Sequence, residues 1–268
     1  MIQPQRIGRF LPVDKLGYIQ PDAAIDLVGD TWKPLVESVT RSLIKRQRVR
    51  SVYVRGSIPR GLAIENMSDA DFIYFSEIDF GSADSDLEEA AKADFPFVHE
   101  LKLFRLNRAE LDKIHRPQRR PYFHMLLKTQ SLFLAGDNIV SDIEPFKVGP
   151  DMVSHVFALT NELSKLSIWL SKVPSRMEEH RKRPIEQSAR QWISKRIVRS
   201  GLEVTMNRSD RFTRDLYLCY EQFSNFYPER SKQMHHVLIN CLNGHDSPVQ
   251  YEELVTFLSN ESSGLLAL

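Results

Sequence analysis

Two cysteines, Cys219 and Cys241, are all that the 268-residue chain contains. Neither sits in a CxxC or Cys/His spacing, which excludes a disulfide framework and a zinc module as organising devices. Both are expected as reduced helix residues in a cytoplasmic protein. A charge excess is missing too. Lys+Arg 36 against Asp+Glu 35 leaves a formal net charge of +1. A dedicated nucleic-acid binder carries a larger basic surplus, so a nucleic-acid partner is not favoured. No apolar run approaches the roughly 18 residues a membrane span needs. Residues 1–10 lack the apolar stretch of a signal peptide, and none is expected. Repeats and low-complexity tracts are also absent. The remaining composition, 42% hydrophobic and 26% charged, is that of an ordinary globular protein.

Apolar periodicity divides the chain into two textures. From about Pro21 to Gln47, Ala24, Leu27, Val28, Trp32, Leu35, Val36, Val39 and Leu43 recur mostly at three- and four-residue steps, a helical pattern. Pro34 marks a start for the longer helix. Arg50–Arg55 and Ala70–Phe75 are rich in β-branched and aromatic residues and read as strands. Asp84–Ala93 reads as a short acidic helix with Asp84 or Ser85 as its N-cap. Phe95–Leu106 is expected as a third strand, with Pro96 in its first residues. Helices are expected over 108–114 and 122–134, with Gly136-Asp137 as a stop and Lys147–Pro150 as a linker. Beyond it, amphipathic helices are expected over 151–173, 185–205, 211–226, 230–242 and 249–259, punctuated by Pro174, Pro184, Pro228 and Pro248. Trp32, Trp169 and Trp192 are expected in the core. The predicted architecture is an α/β (α+β) domain over 1–147, with a small mixed sheet and an N-terminal helix, followed by an all-α helical bundle over 148–268.

One run carries chemistry. It begins Val52-Tyr-Val-Arg-Gly-Ser and ends Ser68-Asp-Ala-Asp-Phe-Ile-Tyr-Phe75. A strand that stops at Gly56-Ser57 offers a tight turn where backbone can approach a phosphate. Its N–H groups can join an anion-binding nest. The spacer to Asp69 is long enough for one short helix that returns the chain to a neighbouring strand. On that strand Asp69 and Asp71 should face the same side, because strand side chains alternate with a period of two. Two adjacent carboxylates repel unless a cation stands between them, and hard oxygen donors suit Mg²⁺. Glu100, in the third expected strand, is the candidate third carboxylate, with His99 as the inward residue if the register slips by one. Glu77 or Asp79, just past the second strand, are candidates for a general base. Arg60 is a candidate phosphate contact, and Arg55 is expected in solvent.

These residues resemble a known family. A strand, Gly-Ser, a short helix and then Asp-x-Asp on the next strand is the signature of the polymerase-beta-like nucleotidyltransferases. Gly56, Ser57, Asp69 and Asp71 stand at its positions, with Glu100 near the place of the third carboxylate. The Ser-Asp-Ala-Asp form, with Arg60-Gly61 in the spacer, looks like the bacterial antibiotic (aminoglycoside) adenylyltransferase branch. Trp192–Leu202, Tyr217–Glu221 and Phe226–Glu229 are similar to that branch's C-terminal helical domain. The resemblance implies ATP or another NTP as substrate, two Mg²⁺ ions held by Asp69, Asp71 and Glu100, and nucleotide binding by Gly56, Ser57 and Arg60. It also implies a helical-domain lysine that reaches the triphosphate, for which Lys195 is the candidate, with Arg196 and Arg199 as alternates. The expected activity is transfer of AMP to an acceptor hydroxyl, on a small molecule such as an aminoglycoside. A protein or RNA acceptor and a non-catalytic nucleotide-binding protein are the alternatives.

Overall fold

The computed structural model of the chain describes residues 2–107, 109, 121–149, 152–172 and 178–265. It divides into two compact units. One is Pro12–Lys147. The other joins Met1–Leu11 to Val148–Leu268. The first eleven residues therefore belong with the helical unit, where the sequence placed them with the α/β domain. Their backbone explains this. Ile2 exchanges bonds with the Asn243 side chain at 3.0 Å, Arg9 N–H donates to Asp215 Oδ2 at 2.9 Å, and Leu11 N–H donates to the Phe212 carbonyl at 2.8 Å.

The α/β unit is built on a four-stranded mixed sheet. Helix α1 (Lys33–Ile44) begins with Pro34, whose missing N–H is no loss at a helix start. Strand β1 (Val49–Arg55) follows, then a 3-10 turn at Ile58–Arg60 and strand β2 (Ala70–Ser76). Helix α2 (Ser82–Asp94), strand β3 (Leu101–Leu106), helix α3 (Pro121–Gln130) and strand β4 (Ser131–Gly136) complete the unit. The strand order is β3-β2-β1-β4. Strand β1 is antiparallel to both β2 and β4, and β2 is parallel to β3.

The two central strands are buried on both faces, and alternation divides their side chains between two cores. Val52, Val54, Ala70, Phe72 and Tyr74 pack with Leu35, Val36, Val39 and Leu43 of α1. Tyr53, Ile73 and Phe75 pack on the other side with Leu127, Val140 and Ile143. Each of the larger apolar side chains among them contributes about 1.5–3 kcal/mol by leaving water.

Three expectations change here. The 122–134 helix ends at Gln130, and Ser131–Gly136 is the edge strand β4. A short apolar run such as Leu132-Phe-Leu-Ala fits a helix end or a strand equally, and pairing with β1 decides it. Residues 95–100 are not strand. Phe97 packs edge-on against Trp32 and Phe95, and Val98 is buried, so these residues anchor the core before β3 begins. Helix α2 is capped at Gly81. Asp84 lies in its first turn and takes Arg46 and the Tyr74 hydroxyl instead. The helix expected over 108–114 lies largely outside the described residues.

The helical unit contains α4 (Val156–Lys172), α5 (Glu179–Glu203), the single turn α6 (Met206–Ser209), α7 (Leu216–Phe226), α8 (Ser231–Asn243) and α9 (Glu252–Ser262). Helix α5 is the hub, touching α4, α7, α8 and α9. Pro184 was expected to precede it but lies inside its second turn, where it forgoes one i→i−4 hydrogen bond. Gly201 lets α5 approach its neighbours closely. A Cβ there would stand 2.7 Å from Met234 and 3.2 Å from Phe223. Cys219 and Cys241 are buried thiols in α7 and α8, and burial pushes both pKa values up. Trp32 is core as expected, whereas Trp169 and Trp192 are 43% exposed. Trp192 carries the Arg196 guanidinium over its ring at 4.4 Å. No described helix is long and apolar enough to cross a membrane.

Candidate active site

The Gly56-Ser57 turn forms where β1 runs out. Gly56 has φ +86°, in the region that favours glycine, and a Cβ on it would meet nothing within 4 Å. The conformation, not crowding, therefore requires glycine, and the space above it is open. The turn closes on itself. Leu62 N–H donates to the Ser57 carbonyl at 2.9 Å, and Gly61 N–H to the Ile58 carbonyl at 3.2 Å. Arg60 lies beneath the turn, 5% exposed, with Nε 2.6 Å from Asp22 Oδ2.

The carboxylates gather at the start of β2. His99 N–H donates to the Ser68 carbonyl at 3.2 Å and Ala70 N–H to the Glu100 carbonyl at 2.7 Å, which brackets Asp69 beside Glu100. Ala70 pairs with Leu101 and both face the core. By alternation Asp69, Asp71, Glu100 and Lys102 share the opposite side.

Asp71 sits in the middle of a row. Its cross-strand neighbour in β1 is Arg55, and in β3 it is Lys102. Arg55 Nη2 lies 3.1 Å from Asp71 Oδ2, and the Arg55 guanidinium stacks over Phe104 at 5.2 Å. Arg55, expected in solvent, has only 26% of its side chain exposed. Lys102 Nζ stands 2.8 Å from Glu100 Oε2, and His99 Nδ1 stands 2.9 Å from Asp69 Oδ1. Each of the three carboxylates thus has a basic side chain within reach. Sequence reasoning missed Arg55 because its partner comes from strand register, which is not local.

Electrostatics follow the geometry. Burial pushes the Asp71 carboxyl above its ordinary value, the Asp69 charge adds to this, and Arg55 and Lys102 pull against it. The hydrogen bond to Glu100 raises Lys102, and the charges of Glu100, Asp69 and Asp71 raise it further.

Among the described residues, no group of three or more His, Cys, Asp or Glu side chains is placed to hold a metal ion. The donor chemistry nevertheless fits Mg²⁺ in the way that ion is ordinarily bound. Mg²⁺ takes one or two carboxylates and completes its shell with water and substrate phosphates, rather than with an all-protein cage. Asp69 and Asp71 supply such a pair, and their mutual repulsion is what a cation would relieve.

The two sequence candidates for a general base lie at the other end of the strand. Glu77 and Asp79 follow the far end of β2, about 20 Å along the strand from Asp71 at about 3.3 Å per residue, which removes both as general bases at this site. Lys195 is half-buried on α5 in the helical unit. Of its alternates, Arg196 pairs with Glu162 at 3.1 Å and donates to His155 Nδ1 at 3.0 Å. Arg199 Nε donates to the Arg214 carbonyl at 3.4 Å.

Nearby in that unit, Glu203 is 2% exposed and accepts N–H bonds from Ser154, His155 and Val156, closing the N-terminus of α4. Burial raises its carboxyl to about 7 despite these bonds. Burial, aided by Arg199, Arg196 and Arg214, lowers His155 to about 2.

No protein-family model and no curated protein matches the chain. Among solved structures, the spectinomycin adenyltransferase AAD(9) from Enterococcus faecialis, crystallised with ATP and spectinomycin, matches over 90% of this chain and 99% of its own, with 12% identity and a TM-score of 0.48. That level of likeness assigns neither activity nor substrate.

Proposed function

We propose that this chain is a Mg²⁺-dependent nucleotidyltransferase that moves AMP from ATP, or NMP from another NTP, to a hydroxyl of a small acceptor. One observation carries the reading. A glycine turn with open space above it stands at the end of β1, and the paired carboxylates Asp69 and Asp71 stand at the start of the adjoining β2. Phosphate and divalent cation bind these two kinds of group, and the sheet puts them at one end.

In this reading the turn backbone at Gly56 and Ser57 receives the phosphates. Asp69 and Asp71 hold Mg²⁺, with Glu100 as the third carboxylate of the cluster. The bound cation would neutralise phosphate charge as it develops. The acceptor hydroxyl gives up its proton to solvent, its oxygen forms a bond to the α-phosphorus, the bond from that phosphorus to the bridging oxygen breaks, and pyrophosphate leaves. The protein's contribution is mainly positioning and charge, as is usual in phosphoryl chemistry. Arg60, buried against Asp22, supports the turn from below and is not assigned to phosphate.

A second reading has a specific observation behind it. Every carboxylate of the cluster already has a basic neighbour, which is how a catalytically silent nucleotide-binding protein would look. One assay separates the two. Purified protein is incubated with Mg²⁺, each of four α-labelled NTPs, and a panel of aminoglycosides and lincosamides. Label moving to one drug establishes the transferase and its nucleotide together. Intact-mass spectrometry of protein and RNA acceptors extends the search to macromolecules. Nucleotide binding with no transfer to any acceptor would favour the silent protein.

A further inference from the structure

The carboxylate cluster carries its own cations, and their placement bears on how many metal ions it takes. This inference rests on the nucleotidyltransferase reading above. Asp71 lies between Arg55 on β1 and Lys102 on β3, both set by strand register. Lys102 Nζ is 2.8 Å from Glu100 Oε2, and its charge acts on Asp71 as well. Arg55 Nη2 is 3.1 Å from Asp71 Oδ2 and is steadied by Phe104.

We infer that the Lys102 ammonium takes the place of one of the two divalent ions the resemblance implies, so that the site binds its nucleotide with a single Mg²⁺ on Asp69 and Asp71. Charge supports this. Three carboxylates can neutralise most of the charge of two divalent ions. Here Arg55 and Lys102 already set two positive charges against Asp71 and Glu100, so a second divalent ion would meet like charge that a single ion on Asp69 and Asp71 can avoid by leaving Lys102 in place. Donor supply supports it as well. Glu100, the carboxylate that would complete a second metal's ligands, is the one bound to Lys102. A lysine is suited to this place as a compact point charge with three rotatable donors. It can lie against carboxylate and phosphate oxygens together.

The test is a count of ions, read without turnover. Mn²⁺ is titrated into the protein saturated with a non-hydrolysable NTP analogue. The Mn²⁺ and nucleotide retained with the protein are then measured by electron paramagnetic resonance and ultrafiltration. Wild type should retain one Mn²⁺ per nucleotide, Lys102→Met two, and Lys102→Arg one. The Lys102 side chain is 48% exposed, so neither variant threatens the fold. Two ions in wild type would overturn the inference and leave the nucleotidyltransferase reading standing. A count of one in Lys102→Met would overturn the role given to Lys102. Retention of no Mn²⁺ with any nucleotide would overturn the inference and the reading on which it rests.

Discussion

Asp71 in the α/β unit and Glu203 in the helical unit are both carboxylates drawn away from water, and they are held in opposite ways. Asp71 is engaged by side chains, Arg55 and the neighbouring Lys102, which can swing aside. Glu203 is engaged by the backbone N–H groups of three successive residues, which cannot. Burial raises both carboxyls. Only the first can trade its partners for a ligand without opening the fold. The second is part of a helix start. The manner of holding, more than the degree of burial, separates a site from a support.

Substitutions sharpen this contrast. Asp71→Asn should cost several kcal/mol of transition-state stabilisation, on the order of a thousandfold in transfer rate, with the unfolding midpoint little changed. Full transfer by this variant, measured with labelled NTP, would break the assignment of Asp71.

Arg60 belongs on the other side of the contrast, although it stands in the α/β unit. Arg60→Met leaves the buried Asp22 without its guanidinium and should lower unfolding stability by about 3–5 kcal/mol. A variant that denatures like wild type in urea yet binds NTP weakly would make Arg60 a phosphate ligand.

Glu203 titrates at about 7 in the folded chain against an ordinary 4.5, so the folded state holds its proton more tightly. Stability from this group is fully present below about pH 4.5 and is lost as pH rises through about 7, a change of about 3 kcal/mol. His155, lowered from 6.5 to about 2, works in reverse. Its contribution is present above pH 6.5 and fades as pH falls. Between about pH 4.5 and 6.5 the two run against one another in wild type, and Glu203→Gln isolates the part that belongs to Glu203. The stability advantage of wild type over the variant should shrink by about 3 kcal/mol between pH 4.5 and about pH 8. An advantage that is constant with pH would mean Glu203 titrates as an ordinary glutamate.

The smallest effect is expected at Gly56. Its φ of +86° with open space around a Cβ means Gly56→Ala should cost about 1–2 kcal/mol of stability from backbone strain alone. Because the added methyl enters the space assigned to phosphate, NTP binding measured by calorimetry should weaken by more than stability does. Unchanged binding would move the phosphate site elsewhere.

Local rules made part of this legible. The side shared by Asp69 and Asp71 follows from the two-residue period, and α1 follows from Pro34 and the spacing of Leu35, Val36, Val39 and Leu43. What the sequence hid depends on partners distant in the chain. Strand β4 is a strand because β1 lies beside it. Arg55 leaves solvent because the register sets it against Asp71. Glu77 and Asp79 looked close to the metal pair in sequence, but a straight strand carries them to its other end. Trp169 and Trp192 read as core because a tryptophan beside apolar residues usually is, and only packing shows them exposed.

The N-terminal segment gives the chain a peculiar timetable. Ile2 is tied to Asn243, 241 positions later, by paired bonds, and Leu11 is tied to Phe212. These residues therefore find their seat only after some two hundred or more further residues have been made. At roughly 5–20 residues per second, the wait lasts roughly 10–50 s. The α/β unit, contiguous from Pro12 to Lys147, is complete in sequence before its helical companion can close. During synthesis this strap is a loose end, and its docking reports that translation has reached the far side of α8.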